Sequence, residues 1–222
     1  MAQGASESPG GPESKPTPAR RSWRAVVLFL VVTAAGLTAD LASKHRVFER
    51  FLSGPEVRDH VRRLQAAAEA NEEELPPELV LRSIVENTDG RRLMPGIRLT
   101  PSVNPGVVFG LMLPRWFVAA ATVVTMAMVC VFFATSPKNA WALHLGLAFI
   151  LGGALGNLYD RLFSAVVLPE NAGVIRHHVR DFVDCAELHY PWVFNVADVL
   201  LVLGVGLLLA CSFLPSQRAG GK

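Results

Sequence analysis

Four stretches of predominantly apolar residues, about 23–43, 116–135, 141–163 and 192–214, constrain this 222-residue chain more than any other feature. Each is close to the roughly 20 residues a helix needs to cross a bilayer. Each opens on a tryptophan (Trp23, Trp116, Trp141, Trp192), as aromatic rings do at headgroup level. Hydrophobic residues make up 51% of the chain and its mean hydropathy is +0.34, which is too apolar for an ordinary soluble domain. The fold class expected is membrane, mainly α, a four-transmembrane-helix bundle. A net charge of +2, with no basic cluster interleaved with aromatics, gives no support for a nucleic-acid partner.

The flanks of the spans predict their orientation. Lys15, Arg20, Arg21 and Arg24 precede or open the first, Lys138 lies between the second and third, and Arg218 and Lys222 follow the fourth. Positive residues near span ends stay in the cytoplasm, so both termini are expected inside. Residues 44–115 carry 11 basic and 10 acidic residues, but long segments translocate largely regardless of charge. The run after RRSWR also fits a cleaved secretory signal. Asp40 and Lys44, following on helical spacing, favour an uncleaved span instead.

Residues 1–22 are rich in Gly, Ser, Pro and Glu and read as a disordered cytoplasmic tail; 215–222 form a second tail. Residues 23–214 form one domain, with an extracytoplasmic insertion at about 45–100. Within it, Val57, Val61, Leu64 and Ala68 make one apolar stripe, predicting an amphipathic helix, either lying on the membrane or over the site, or solvated and packed on its own loop. ELVLRSIVE and RLMPGIRLTPSV flank NTDG, a hairpin signal pointing to a small extracytoplasmic sheet. Cys130, Cys185 and Cys211 lack paired spacing, so two are read as lipid-buried thiols and Cys185 as a free loop thiol.

This topology places Asp40, Asn157, Asp160, Arg161, Asn195 and Asp198 at one membrane level, near the outer face. An ionisable side chain within a span is disfavoured by several kcal/mol and marks function, so one site at the extracytoplasmic boundary is expected. The chain has no HExxH and no GxSG motif. His177 and His178 point to opposite faces if extended, and neither metal nor cofactor is expected. Past residue 100 the acids are Asp160, Glu170, Asp181, Asp184, Glu187 and Asp198. Two carboxyls in a partly dry pocket can share a proton, one holding it while the other activates water. A proton-coupled transporter would use the same chemistry, but no inverted repeat is visible. Gly152, Gly153 and Gly156, like Gly204 and Gly206, read as close helix-packing positions.

DLASK (40–44), NPGVVFG (104–110), GGALGNLYDRL (152–162), VRDFVD (179–184) and FNVAD (194–198) occur in that order. Together they resemble the bacterial lipoprotein signal peptidase family, signal peptidase II. The resemblance implies a four-span aspartyl endopeptidase of the inner membrane, removing signal peptides from prolipoproteins after lipid has been attached to the lipobox cysteine. Its partners would be the lipid-modified precursor and membrane lipids, and it would act as a monomer. It assigns the catalytic pair to Asp181 and Asp198. Asn104, Gly106, Asn157, Arg161 and Asn195 would line the site or bind substrate, with Asp40, Lys44 and Asp160 in support. On the residues alone Asp160 ranks ahead of Asp181; its structural reading is an ion pair with Arg161 or Lys44. Two departures, a longer outer segment and the expanded SAVVLPENAGVIRHHVRDF, flank the site and read as lid or cradle elaborations. The alternative is a carboxylate-bearing transporter or lipid-handling protein without peptidase activity. A presenilin-like protease lacks its GxGD motif here.

Overall fold

The computed structural model describes residues 16–88, 91–108 and 111–213. Six helices, α1 (Trp23–Leu52), α2 (Pro55–Ala70), α3 (Pro77–Thr88), α4 (Arg115–Thr135), α5 (Trp141–Phe163) and α6 (Val196–Phe213), carry most of the chain. Of these, α1, α4, α5 and α6 are long and apolar enough to cross a membrane. Helix α5 is central, packing on α1, α4 and α6.

Small residues set that packing. The GGxxG run turns its glycines outward onto both neighbours: a Cβ on Gly152 would meet the Thr33 carbonyl of α1, and one on Gly153 the Ala197 carbonyl of α6. Gly156 gives its space to the Asp40 carboxylate. Gly204 lies against Gly146, whereas Gly206 faces open space and so packs nothing. With no hydrophobic gain from leaving lipid, such close backbone approach is what brings spans together.

The extramembrane part is a sheet of order β1-β2-β7-β8, made of Arg91–Met94, Ile97–Asn104, Val179–Cys185 and Tyr190–Phe194, all antiparallel. Two hairpins accompany it: β3 (Val107–Val108) with β4 (Leu111–Met112), and β5 (Ala165–Val167) with β6 (Val174–Arg176). The end of α1, helices α2 and α3, β5–β6 and Phe182 of β7 enclose a core containing Phe48, Val61, Val80, Ile84, Leu168 and Ile175. The α2 stripe, with Val57, Val61 and Ala68 buried, faces this core. The expanded segment before Asp181 is the β5–β6 hairpin, held to α2 by Arg62 and Gln65 on Glu170.

Four expectations are corrected. ELVLRSIVE forms α3: Pro77 and Glu78 open it, and Val80, Leu81 and Ile84 share a helical face in the core. The hairpin turns instead at Pro95–Gly96, where Gly96 adopts φ +85°. Its turn is fixed by Glu187, which pairs with Arg92 and Arg98 and is held down to about pKa 2, first by the Arg92 bond and then by Arg98. Trp192 lies in β8, four residues before α6 begins. Helix α1 runs to Leu52, making Asp40 and Lys44 interior residues. Residues 16–22, assigned to the tail by composition, are ordered against the α4–α5 turn through Ala19 N–H to the Ser136 carbonyl (2.7 Å), and residues 1–15 and 214–222 lie outside the described part.

Substituting Gly156→Ala is expected to lower stability by about 1–3 kcal/mol through overpacking, as read by thermal unfolding in detergent, because the added methyl must displace the Asp40 carboxylate.

Candidate active site

Lys44 is fully buried, and so are Asp40 and Asp160. Its ammonium donates to Asp40 Oδ2 at 2.7 Å and Asn157 Oδ1 at 3.0 Å, and forms an ion pair with Asp160 Oδ2 at 3.1 Å. A buried ion is tolerable only when it is paired and hydrogen-bonded, and Lys44 has two carboxylate partners and an amide acceptor. Each partner then reaches further. Asp40 Oδ1 accepts from the backbone N–H of Ala197 (2.9 Å), an otherwise orphan donor in the first turn of α6. Asp160 accepts Arg180 three ways: Nε at 3.0 Å, Nη2 at 2.6 Å and the backbone N–H at 3.0 Å. Asn157 Nδ2 donates to Asp198 Oδ1 at 2.9 Å.

Asp198 sits at the N-terminus of α6 in a reciprocal cap. Asn195 Oδ1 accepts from the Asp198 N–H (3.2 Å) while Asp198 Oδ2 accepts from the Asn195 N–H (3.1 Å), the capping-box arrangement with Asp in the glutamate's place. Asn195 Nδ2 donates both to Asn157 Oδ1 (3.1 Å) and to Asp181 Oδ1 (2.6 Å). Asp181 projects from β7, where it opposes Ser102 of β2, and the Asn104 side chain hydrogen-bonds it as well. Gly106, at φ +117°, donates its N–H to Asn104 Oδ1 (2.9 Å) and turns the chain there. Arg161 donates to the Asn157 carbonyl at 3.3 Å, leaves its buried Nε without a partner, and lies within the fields of Asp181 and Asp198.

The site residues anticipated from sequence are thus one connected group, with Asp181 and Asp198 bridged by Asn195. Asp160 joins it as an anchor: its ion pairs are to Lys44 and Arg180, not Arg161. Arg180 escaped the sequence reading, although it adjoins Asp181 in VRDFVD. In depth the clustering holds, but it is α1's interior, not its end, that contributes.

Four carboxylates (Asp40, Asp160, Asp181, Asp198) face three cations (Lys44, Arg161, Arg180), so the group is neutral when it retains one proton. Asp181, 5% exposed, has its pKa raised to about 7, foremost by burial and then by the Asp198 charge, against the lowering bonds from Asn195 and Asn104. Cys185, buried in β7 and not in a loop, lines a hollow of about 420 Å³ beside Asp198 with Leu188, Tyr190, Phe194 and Val199. Among the described residues no three His, Cys, Asp or Glu side chains come together as a metal site.

Four apolar spans around a buried carboxylate network, with a sheet closing one end, fit a membrane-embedded aspartic peptidase. The family model for signal peptidase (SPase) II matches residues 32–214, and the chain belongs to that family. Similar proteins include the lipoprotein signal peptidases of Desulfitobacterium hafniense (39% identical, covering 54% of this chain and 71% of that one) and Caulobacter vibrioides (36%, 57% and 70%). A bacterial membrane enzyme structure solved by the in meso method at 2.3 Å shares the fold, with TM-score 0.58, 17% identity, and coverage of 89% of this chain and 94% of that one. Family membership makes the activity cleavage of signal peptides from prolipoproteins.

Replacing Lys44→Met is expected to destabilise the protein by about 3–5 kcal/mol, since Asp40 and Asp160 lose their shared cation; thermal unfolding in detergent measures it.

Proposed function

We propose that Asp181 and Asp198 are the catalytic dyad, sharing one proton, and that the substrate is the diacylglyceryl-modified prolipoprotein. The observation that carries this reading is the Asn195 bridge: it links the buried Asp181 to Asp198, which lines a hollow, whereas Asp160 is consumed by Lys44 and Arg180. Asp198, receiving two N–H donors at a helix N-terminus, acts as the carboxylate; Asp181 carries the proton. Asp198 takes a proton from water as the hydroxide adds to the scissile carbonyl carbon. Asp181 gives its proton to the carbonyl oxygen. Collapse of the tetrahedral diol then breaks the C–N bond as Asp198 gives its proton to the departing amine and a diol hydroxyl returns one to Asp181, leaving the carboxylic acid product and the dyad with its single proton. Arg161, whose guanidinium lies in the fields of both carboxylates, and Asn104, which hydrogen-bonds Asp181, hold the substrate backbone. Supply of every group by one chain supports action as a monomer.

The enzyme lies in the cytoplasmic membrane with its site at the extracytoplasmic face and both termini inside. Supporting this, Arg20, Arg21 and Lys138 lie at the bundle end opposite the site, where Ala19 meets Ser136, as cytoplasmic positive residues do.

Asp181→Asn and Asp198→Asn are each expected to reduce processing of lipidated precursor by about 10²–10⁴-fold without loss of the folded protein. In wild type, kcat/KM falls as pH rises through about 7, because Asp181 then loses the proton that the dyad must hold. Normal processing by either variant, or a pH profile flat through 7, refutes the assignment.

A further inference from the structure

The substrate of a peptidase whose dyad sits at one end of a bundle arrives with a long apolar segment that must go somewhere in the membrane. The surface of α6 offers a route. Asp198, Val202, Val205, Leu209 and Ser212 recur at steps of four, three, four and three, which places them on one helical face. Val202, Val205 and Leu209 on that face are 72%, 48% and 53% exposed. The residues that pack α6 onto its neighbours, among them Ala197, Leu201, Gly204 and Leu208, lie elsewhere on the helix.

This face runs between two hollows. The upper one, beside Asp198 and Val202, is the 420 Å³ space under β8. The lower one, about 960 Å³, is bounded by Met128 and Phe132 of α4, Trp141 and Leu147 of α5, and Val205 and Ser212 of α6. It exists because α4 and α6 both pack on α5 and make little contact with each other. The site thus continues, along the helix that bears one of its carboxylates, into an apolar trough at the opposite end of the bundle.

We propose that this face of α6 and the trough beside α4 dock the apolar segment of the precursor's signal peptide as a helix lying obliquely across α6. The proposal rests on the peptidase reading above and adds where the substrate lies. The length agrees: from Asp198 to Cys211 is 13 residues, about 20 Å at 1.5 Å per residue, and an apolar core of 7–15 residues spans about 10–22 Å as a helix. Apart from Asp198, the α6 face carries no charge, matching an uncharged helix, and its first residue is where the cut must occur.

Two lipid-modified substrates test it on the full-length enzyme: a complete precursor, and a peptide that begins a few residues before the cut and lacks the apolar segment. Val205→Trp and Met128→Trp narrow the trough from two sides and are expected to raise KM for the complete precursor about tenfold, with kcat little changed and the short peptide cut as by wild type, the mark of lost uniform binding. Val131→Trp, on an exposed part of α4 outside the trough, leaves both unchanged. In the inactive Asp198→Asn enzyme, a precursor with one cysteine added about 13 residues before the cut should be joined to Cys211 by a bismaleimide, and not to the exposed Cys130. Unaltered KM in both tryptophan variants means that only lipid fills the trough and overturns the proposal. Cross-linking through Cys130, no cross-link, or a link between two Cys211 thiols overturns it as well. A wild-type enzyme that cuts neither substrate refutes the peptidase reading itself, a separate result.

Discussion

The ammonium of Lys44 is the point on which the rest of the structure depends. Fully buried, it is stable only while Asp40 and Asn157 accept its hydrogen bonds and Asp160 pairs its charge. Those acceptors are also the fasteners of the fold: Asp40 holds the first turn of α6, and Asp160 holds Arg180 and with it β7. Through these acceptors one side chain of α1 links α5, the start of α6 and β7.

That tie places a strand from outside the membrane beside the N-terminus of a span. The strand supplies Asp181 in a buried setting that favours its protonated form, and the helix end supplies Asp198 with N–H donors from Asn195 and Asn157. Unlike environments imposed on two like groups are what acid and base roles require. The asparagines act as spacers: Asn157 and Asn195 relay between carboxylates that would repel each other if they met directly. The glycines of α5 serve the same end, since the Asp40 carboxylate fits only where Gly156 has no side chain.

Much of this was legible in the sequence because bilayer thickness and burial act on runs and periods. Four apolar runs gave the bundle, and charge near span ends put Asp40, Asn157, Asp160, Arg161, Asn195 and Asp198 at one level. What periodicity could not give was partner choice. Asp160 and Asp181 are the same residue type at similar depth, and only the three-dimensional pairing of Asp160 with Lys44 and Arg180 separates them. Arg180 was overlooked because a lone arginine in a polar loop is ordinary on paper. The β-branched ELVLRSIVE looked like a strand, yet its proline start and the outer core it faces made it α3. Trp192, expected to open the fourth span, belongs to β8.

The central claim is that this network holds one proton, on the Asp181–Asp198 pair. Infrared spectroscopy of the protein in bilayers, followed from pH 5 to 9, tests it directly through the carboxylic-acid C=O stretch of a buried aspartate. The account predicts a band lost as pH rises through about 7, abolished by Asp181→Asn and retained in Asp160→Asn. A band that survives Asp181→Asn, or disappears with Asp160→Asn, would contradict it.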